Sequence, residues 1–255
     1  MGNSPHIVAI IQARMGSTRL PGKVMAEIAG KPVLWHVVYR VRQAQQVDEV
    51  VVATTDKAAD QAIIDFASAE GILVFRGSEE DVLDRYYQAA KWIGADVVVR
   101  ITADCPLIDP QIIDRVIAHY LNGNFDCVSN THPPTYPDGL DVEVFSFDAL
   151  EKAWKEARRL SEREHVTPYI WKNLDKFRLS NVENTEDLSH LRWTVDEPQD
   201  LEFVRAVYNH LGRELFNMFD VLNLLKKHPE LLEINSRIER NEGYRKSLRE
   251  DKIIK

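Results

Sequence analysis

The feature of this sequence that most constrains its fold is an alternation of short apolar runs with longer segments of helical periodicity. Up to residue 121, apolar runs at 7–11, 49–54, 72–75 and 96–101 alternate with helical patterns at 32–43, 58–70, 81–93 and 110–121. Such alternation predicts an α/β fold in which helices cover both faces of a parallel sheet through right-handed crossovers. Folds of this kind bind ligands at the carboxyl ends of the strands.

The loop after the first predicted strand combines glycine with positive charge. Gly16 and Gly22 lie in it together with Arg14, Arg19 and Lys23. Backbone N–H groups and fixed cations at this position of an α/β protein bind polyphosphates. The spacing matches neither G-x-x-x-x-G-K-[ST] nor G-x-G-x-x-G, so neither of these phosphate-binding motifs explains the loop. The alternative is a surface loop whose cations are only solvated.

Composition narrows the class of protein. The 32 Lys and Arg against 40 Asp and Glu give a net charge of −8, which disfavours a sequence-independent nucleic-acid binder. Cations concentrated in one loop of an acidic chain favour a small anionic ligand. Two cysteines, Cys105 and Cys127, are too few for a disulfide framework and indicate a reducing compartment. Without a membrane-spanning run or a signal-peptide pattern, we expect a cytoplasmic protein with no membrane or nucleic-acid partner.

Beyond residue 125 the regular alternation ends. A strand is predicted at 127–130 and a second at 140–145, where Asp141 and Glu143 share one face; two carboxylates on one strand face line a site rather than a core. Helices are predicted at 147–159, 164–173 and 198–209, and short strands at 177–181 and 191–194. We expect one domain over 1–255, with a substrate-facing section at 125–195 and a helical tail at 217–255 whose last dozen residues are loosely held.

Two aspartates lie where an α/β protein would hold a metal ion. Asp104 follows the fourth predicted strand, and Asp196 follows the apolar run at 191–195. Helix capping is better served by Asp109 and Glu197, each of which precedes a proline. Magnesium prefers carboxylate and phosphate oxygens, so the two aspartates would share one ion if their strands are neighbours.

The cations of the loop suit a nucleoside triphosphate, with Arg14 and Lys23 over the phosphates. Arg76 and Arg85 would contact either this nucleotide or a surface carboxylate. His165 is open to three interpretations: a base, a sugar contact or a helix-packing residue. Neither cysteine has a histidine or a cation nearby in the sequence, so a nucleophilic role is disfavoured.

Residues 11–23 (IQARMGSTRLPGK) resemble the amino-terminal signature of the cytidylyltransferases that activate acidic sugars, the acylneuraminate and CMP-Kdo synthetases. Residues 100–106, 138–145 and 193–201 resemble most closely the bacterial branch of spore-coat polysaccharide biosynthesis proteins. The resemblance implies a three-layer α/β/α nucleotide-diphospho-sugar transferase fold (glycosyltransferase-A-like) with a mostly parallel sheet. It implies magnesium-dependent transfer of CMP from CTP to a sugar, with release of pyrophosphate, by a homodimer.

The resemblance and the strand ends together predict the site residue by residue. Catalytic roles fall on Arg14, Lys23 and Asp104, and magnesium binding on Asp104 and Asp196. Nucleotide contacts are predicted for Gln12, Ala13, Arg14, Gly16, Ser17, Lys23, Thr54, Arg76 and Thr102. Acceptor contacts are predicted for Asp138, Asp141, Glu143, Glu164 and His165.

Two departures separate the chain from the sialic acid enzymes. Residues 15–19 read MGSTR where those enzymes commonly read GGSKR, and Pro198 stands where they place a second carboxylate. Both favour the Kdo-type variant, whereas the carboxylates predicted at the acceptor favour a neutral or amino-bearing sugar over a sugar acid.

Two other functions stay open at this point. A glycosyltransferase that uses a nucleotide sugar usually carries Asp-x-Asp, whereas residues 102–104 hold only Asp104. A non-catalytic nucleotide-binding protein would bind the triphosphate without turnover. The sequence does not name the sugar, and it favours cytosine over other bases only weakly.

Overall fold

The computed structural model describes residues 4–240 and 242–254 and contains nine strands within them. They are β1 (Ile7–Gln12), β2 (Glu27–Ile28), β3 (Lys31–Pro32), β4 (Glu49–Thr55), β5 (Leu73–Gly77), β6 (Val97–Thr102), β7 (Cys127–Ser129), β8 (Glu143–Ser146) and β9 (Leu179–Asn181). Seven of them form one sheet in the order β5-β4-β1-β6-β8-β7-β9, and β2 pairs with β3 in a small hairpin.

The helices separate these strands in the chain. They are α1 (Val33–Val41), α2 (Gln61–Ala69), α3 (Val82–Ile93), α4 (Pro110–Leu121), α5 (Phe147–Glu156), α6 (Leu160–His165), α7 (Pro168–Lys172), α8 (Pro198–Leu211), α9 (Met218–Lys227) and α10 (Glu242–Arg249). Short 3-10 helices lie at Lys23–Met25, Ala58–Asp60 and Pro229–Glu233.

The sheet is parallel in its first half and mixed in its second. β1 pairs in parallel with both β4 and β6, and β4 pairs in parallel with β5. β8 then runs antiparallel to β6 and to β7, and β9 is parallel to β7. The prediction of a mostly parallel α/β sheet is confirmed.

Alternate residues of β1 belong to two cores, one on each face of the sheet. Val8 and Ile10 pack with α3 and α5, whereas Ala9 and Ile11 pack with α1, α4 and α8. A strand buried on both faces needs an unbroken apolar run, which is what residues 7–11 supply. The three-layer arrangement therefore follows from the sequence.

Two predicted elements of the second half are wrong. The helix expected at 164–173 is two helices, because Pro168 cannot donate a hydrogen bond inside a helix and Val166 takes a φ of 72° at the break. The strand expected at 191–194 is absent from the described residues, where Arg192 forms only an isolated bridge with Asp138.

After α10, residues 251–254 form hydrogen bonds with residues 158–161. The Leu160 N–H donates to the Lys252 carbonyl (2.8 Å), and the Ile254 N–H donates to the Arg158 carbonyl (2.7 Å). The Ser161 N–H donates to the Asp251 carboxylate (3.0 Å). Within residues 4–240 and 242–254, no helix has both the length and the apolar character needed to cross a membrane.

Candidate active site

The loop after β1 is held in a fixed shape by backbone hydrogen bonds. The Asp60 carboxylate accepts hydrogen bonds from the Met15 N–H (2.7 Å) and from the Thr55 hydroxyl. The Gly22 N–H donates to the Met15 carbonyl (3.0 Å), and Gly22 has a φ of 72°, a conformation that favours glycine. A short helix begins at the next residue, so Gly22 sets the direction in which Lys23 leaves the loop.

Lys23 lies between the two predicted metal ligands. Its Nζ is 2.7 Å from a carboxylate oxygen of Asp104 and 2.7 Å from one of Asp196, so the two oxygens are no farther apart than twice that distance. Burial disfavours the charged form of Asp104, but the Lys23 ammonium outweighs burial and lowers the pKa of that carboxyl to about 2. The two carboxylates likewise raise the pKa of Lys23 against the effect of burial.

Asp104 and Asp196 lie close together because the segment at 191–195 passes over the end of β6. The Val195 N–H donates to the Asp104 carbonyl (2.8 Å), and the Trp193 N–H donates to the Asp138 carbonyl (2.6 Å). Gly139 makes this crossing possible: its φ is 110°, and a Cβ there would lie 2.7 Å from backbone atoms of residues 193 and 194. Only glycine fits at that position.

Arg192 fixes the orientation of Asp196, a role that the sequence did not reveal. Its buried guanidinium donates to Asp196 (3.0 Å), to Asp138 (3.0 Å) and twice to Asp200 (2.9 Å each). Asp200 also accepts from the N–H groups of Asp196 (3.0 Å) and Glu197 (2.9 Å) at the start of α8. The beginning of this helix thus places Asp196.

The two aspartates fit a magnesium ion. Their oxygens already converge on one cationic atom, the Lys23 Nζ, and both are hard carboxylate ligands. Among the described residues, no group of three or more His, Cys, Asp or Glu side chains is arranged to hold a metal. Magnesium uses one or two carboxylates and takes its other ligands from phosphates and water, so this pair is sufficient.

Two arginines, Arg14 and Arg85, lie near each other on the side of the predicted nucleotide site. The Arg14 side chain is 45% exposed, and its guanidinium is 3.8 Å from Glu79. Arg85 is buried, donates to the Ser78 carbonyl (2.6 Å) and leaves its Nε without a partner. No carboxylate of the described residues lies within 4 Å of it, and burial lowers the pKa of Arg85. A buried guanidinium without an ion pair is costly unless an anion joins it.

Three small residues predicted to contact the nucleotide, Ala13, Gly16 and Ser17, lie in the same loop as Arg14. Ala13 is buried and donates its N–H to the Ala53 carbonyl (3.1 Å). Gly16 lies against Glu79, since a Cβ would be 3.3 Å from its carboxylate, and the Ser17 hydroxyl accepts from the Leu20 N–H (3.4 Å).

The structure shows the surroundings of four other residues predicted to contact the nucleotide. Gln12 accepts a hydrogen bond from the Arg100 guanidinium (3.1 Å), and Thr102 lines the cavity described below. Thr54 is fully buried with its hydroxyl unpartnered, and the exposed Arg76 donates to the Asp56 carbonyl (3.2 Å). Their roles in nucleotide binding stay predictions.

A cavity of about 220 Å³ lies at the end of β6, where Arg100 and Thr102 line it. Of the predicted acceptor contacts, Asp141, Glu143 and His165 line it. Asp138 instead pairs with Arg192 (3.0 Å), and Glu164 accepts from the Ser247 hydroxyl (2.7 Å). The full lining is Arg100, Thr102, Thr131, His132, Asp141, Glu143, His165, Thr167, Pro168, Trp171, Arg240 and Tyr244.

The charges of this cavity are paired internally. Glu143 lies 2.5 Å from the Arg100 guanidinium, and Asp141 lies 2.7 Å from that of Arg240. Burial lowers the pKa of His165 to about 4, so its imidazole is neutral near pH 7. Because each carboxylate has an arginine partner, the argument from charge against a sugar acid no longer holds.

Three of the residues around the cavity carry buried polar atoms without a hydrogen-bond partner. These atoms are the Arg100 Nε, the Thr131 hydroxyl and the Tyr244 hydroxyl. Buried polar groups are nearly always paired, so their concentration here favours a ligand with several hydroxyl groups. Trp171 and Tyr244 add aromatic surface. The sequence analysis did not assign Arg100 to a site. A cation within an apolar strand is the one sequence feature among the missed lining residues that could have indicated a binding site.

The molecule combines a mostly parallel sheet, a cationic loop after β1 and a pair of aspartates that meet at one lysine. Its fold is that of the nucleotide-diphospho-sugar transferases. The chain belongs to the cytidylyltransferase family, which it matches over residues 8–231.

Named relatives agree with this assignment. The chain is 35% identical over 233 residues to the spore coat polysaccharide biosynthesis protein SpsF of Bacillus subtilis, covering 88% of this chain and 95% of that protein. It is 44% identical over 113 residues to the 3-deoxy-manno-octulosonate cytidylyltransferase of Geobacter sulfurreducens, which is 44% of each chain. A solved cytidylyltransferase from Leptospira borgpetersenii superposes with a TM-score of 0.88 at 34% identity, covering 93% of this chain and all of that one. The predicted family and fold are confirmed.

Proposed function

We propose that this chain is a magnesium-dependent sugar cytidylyltransferase, which transfers CMP from CTP to a sugar and releases pyrophosphate. The observation that carries the proposal is the convergence of Lys23, Asp104 and Asp196 beside the cationic loop. Membership of the cytidylyltransferase family supports CTP as the nucleotide. Arg14, Lys23 and the buried Arg85 supply the positive charge that a triphosphate requires.

In the proposed reaction, an oxygen of the sugar attacks the α-phosphorus of CTP in line with the leaving group. The new P–O bond forms while the bond to pyrophosphate breaks, and no covalent enzyme intermediate is required. Arg14 and Lys23 hold the phosphates and stabilise the charge that develops on the leaving pyrophosphate. Magnesium held by Asp104 and Asp196 would neutralise further phosphate charge.

The cavity at the end of β6 is the proposed acceptor site. Its unpartnered polar atoms and aromatic rings suit a sugar, and the relatives named for 3-deoxy-manno-octulosonate and for spore-coat polysaccharide support a role in glycan biosynthesis. The paired charges of its lining leave acidic, neutral and amino sugars as candidates. The expected homodimer is part of the same proposal and is tested by light scattering.

A screen for pyrophosphate release tests the proposed function. The protein is incubated with magnesium and each of four nucleoside triphosphates, alone and with a panel of acidic and amino sugars. We expect release that requires CTP, a sugar and magnesium together. A parallel incubation replaces the triphosphate with nucleotide sugars, and turnover there but not with CTP would identify a glycosyltransferase. Tight CTP binding without any turnover would identify a non-catalytic nucleotide-binding protein.

A further inference from the structure

Residue 240 and residues 242–254, here called the C-terminal strap, lie against the proposed acceptor site. We propose that the C-terminal strap forms one wall of that site and that its Arg240 and Tyr244 recognise the acceptor sugar. The inference rests on the proposed function and adds to it the residues that determine acceptor specificity. The strap follows the residues that match the cytidylyltransferase family.

Two side chains of the strap line the cavity directly. Arg240 donates to Asp141 (2.7 Å) and to the Tyr136 carbonyl (3.1 Å), which fixes its guanidinium at the cavity wall. The Tyr244 ring lies edge-on to the rings of His165 (5.0 Å between centroids) and Trp171 (6.0 Å). These three rings form an aromatic corner of the kind that packs against the C–H groups of a sugar.

The strap is attached to the rest of the molecule at three places. Glu242 lies 3.1 Å from Arg19, whose guanidinium is also 3.1 Å from Asp196. The Ser247 hydroxyl is 2.9 Å from the His165 ring and donates to Glu164 (2.7 Å). The backbone pairs of residues 251–254 with residues 158–161 complete the attachment. The strap therefore connects the metal side of the site to α6.

These attachments are polar and add little to the apolar core. α10, the helical part of the strap, has no buried residue among those described, so core packing does not explain its position. The Tyr244 hydroxyl is nevertheless buried and has no hydrogen-bond partner in the protein. An unpaired buried hydroxyl is unfavourable, and a hydroxyl or ring oxygen of a bound sugar would satisfy it. This hydroxyl is the strongest sign that the strap recognises a ligand.

The test uses full-length protein and the sugar that gives the fastest pyrophosphate release in the screen above. Tyr244→Phe removes only the hydroxyl, and we expect the KM for the sugar to rise about 3- to 10-fold while the KM for CTP stays unchanged. Arg240→Gln should raise the KM for the sugar about 10-fold or more and change the order of preference among the sugars of the panel. Lys246→Gln, an exposed residue of the same helix, is the matched control.

The outcomes separate this inference from the proposed function. Wild-type turnover with an unchanged KM for the sugar in both Tyr244→Phe and Arg240→Gln overturns the role of the strap and leaves the proposed function standing. An equal loss in Lys246→Gln also overturns it, since the effect would then be structural. If wild-type protein releases no pyrophosphate with any sugar, the proposed function fails, and the inference fails with it.

Discussion

The cationic loop and the acceptor cavity differ in how their residues are distributed along the chain. Arg14 and Lys23 come from one loop of ten residues, and Asp104 lies directly after a strand. The acceptor cavity instead takes its lining from distant segments, from Arg100 in β6 to Tyr244 in α10. A polyphosphate is bound by a short local structure at a strand end, whereas a sugar is enclosed on several sides.

The two sides also differ in charge. The proposed nucleotide side holds Arg14, which lies 3.8 Å from Glu79, and the buried Arg85, which has no carboxylate partner among the described residues. On the acceptor side, Arg100 and Arg240 are each neutralised by a carboxylate. Binding of the nucleotide should therefore depend mainly on charge, and binding of the acceptor on hydrogen bonds and shape.

The largest effect is expected from Asp104→Asn, which removes a proposed magnesium ligand with almost no change in side-chain volume. Turnover should fall about 10³-fold or more while the melting temperature stays within a few degrees of wild type. Pyrophosphate release and calorimetric unfolding measure the two quantities. The control is Asp175→Asn, which changes an exposed aspartate. Near-normal turnover in the folded Asp104→Asn protein would contradict the role of this residue.

Lys23→Ala tests whether charge governs the nucleotide side. Calorimetric affinity for CTP should weaken about 10- to 100-fold, because one fully charged contact to the phosphates is lost. The KM for the acceptor should change much less. Lys155→Ala removes an exposed lysine of α5 and should leave the affinity for CTP and the KM for the acceptor unchanged. Equal losses for CTP and for the sugar would remove the distinction between the two sides.

Gly139→Ala tests the crossing that joins the two sides. The added Cβ would overlap the backbone at residues 193 and 194, so we expect a loss of about 2–4 kcal/mol in the free energy of unfolding. Turnover should fall about 10-fold as Asp196 shifts. Gly71→Ala is a matched control, because Gly71 has a φ of 60° but no atom within 4 Å of the added Cβ. If Gly139→Ala and Gly71→Ala lower the free energy of unfolding equally, backbone strain alone explains the effect and the overlap with residues 193 and 194 does not.

The smallest effect is expected from the pH dependence of stability at His165. Its pKa is lowered from 6.5 to about 4, so the unfolded chain takes up the proton first as pH falls. The contribution of His165 to the free energy of unfolding is therefore fully present above pH 6.5 and is lost as the pH falls toward 4. We expect a loss of about 1 kcal/mol at pH 5, a value reduced for the partial exposure of the ring. Urea unfolding of His165→Gln should show a flatter pH profile, whereas the exposed His190→Gln should follow wild type.

Prediction from sequence succeeded where a local pattern determines the structure. β1 and α4 lie where expected, because a doubly buried strand and a proline-initiated helix each have a local signature. The break at Val166 and the course of residues 191–195 were not predicted. The first depends on a single proline within a helical pattern, and the second on the fit of Gly139 against a distant backbone.

The sequence by itself determined the three-layer α/β fold, the cationic loop and the two aspartates, because periodicity and strand-end chemistry are encoded in neighbouring residues. The tertiary structure alone decided that Lys23 lies between these aspartates, that Arg192 orients Asp196, and which residues surround the cavity. The physical reason is that ion pairs and cavity walls join residues as much as 173 positions apart, such as Lys23 and Asp196, and no local pattern records such contacts.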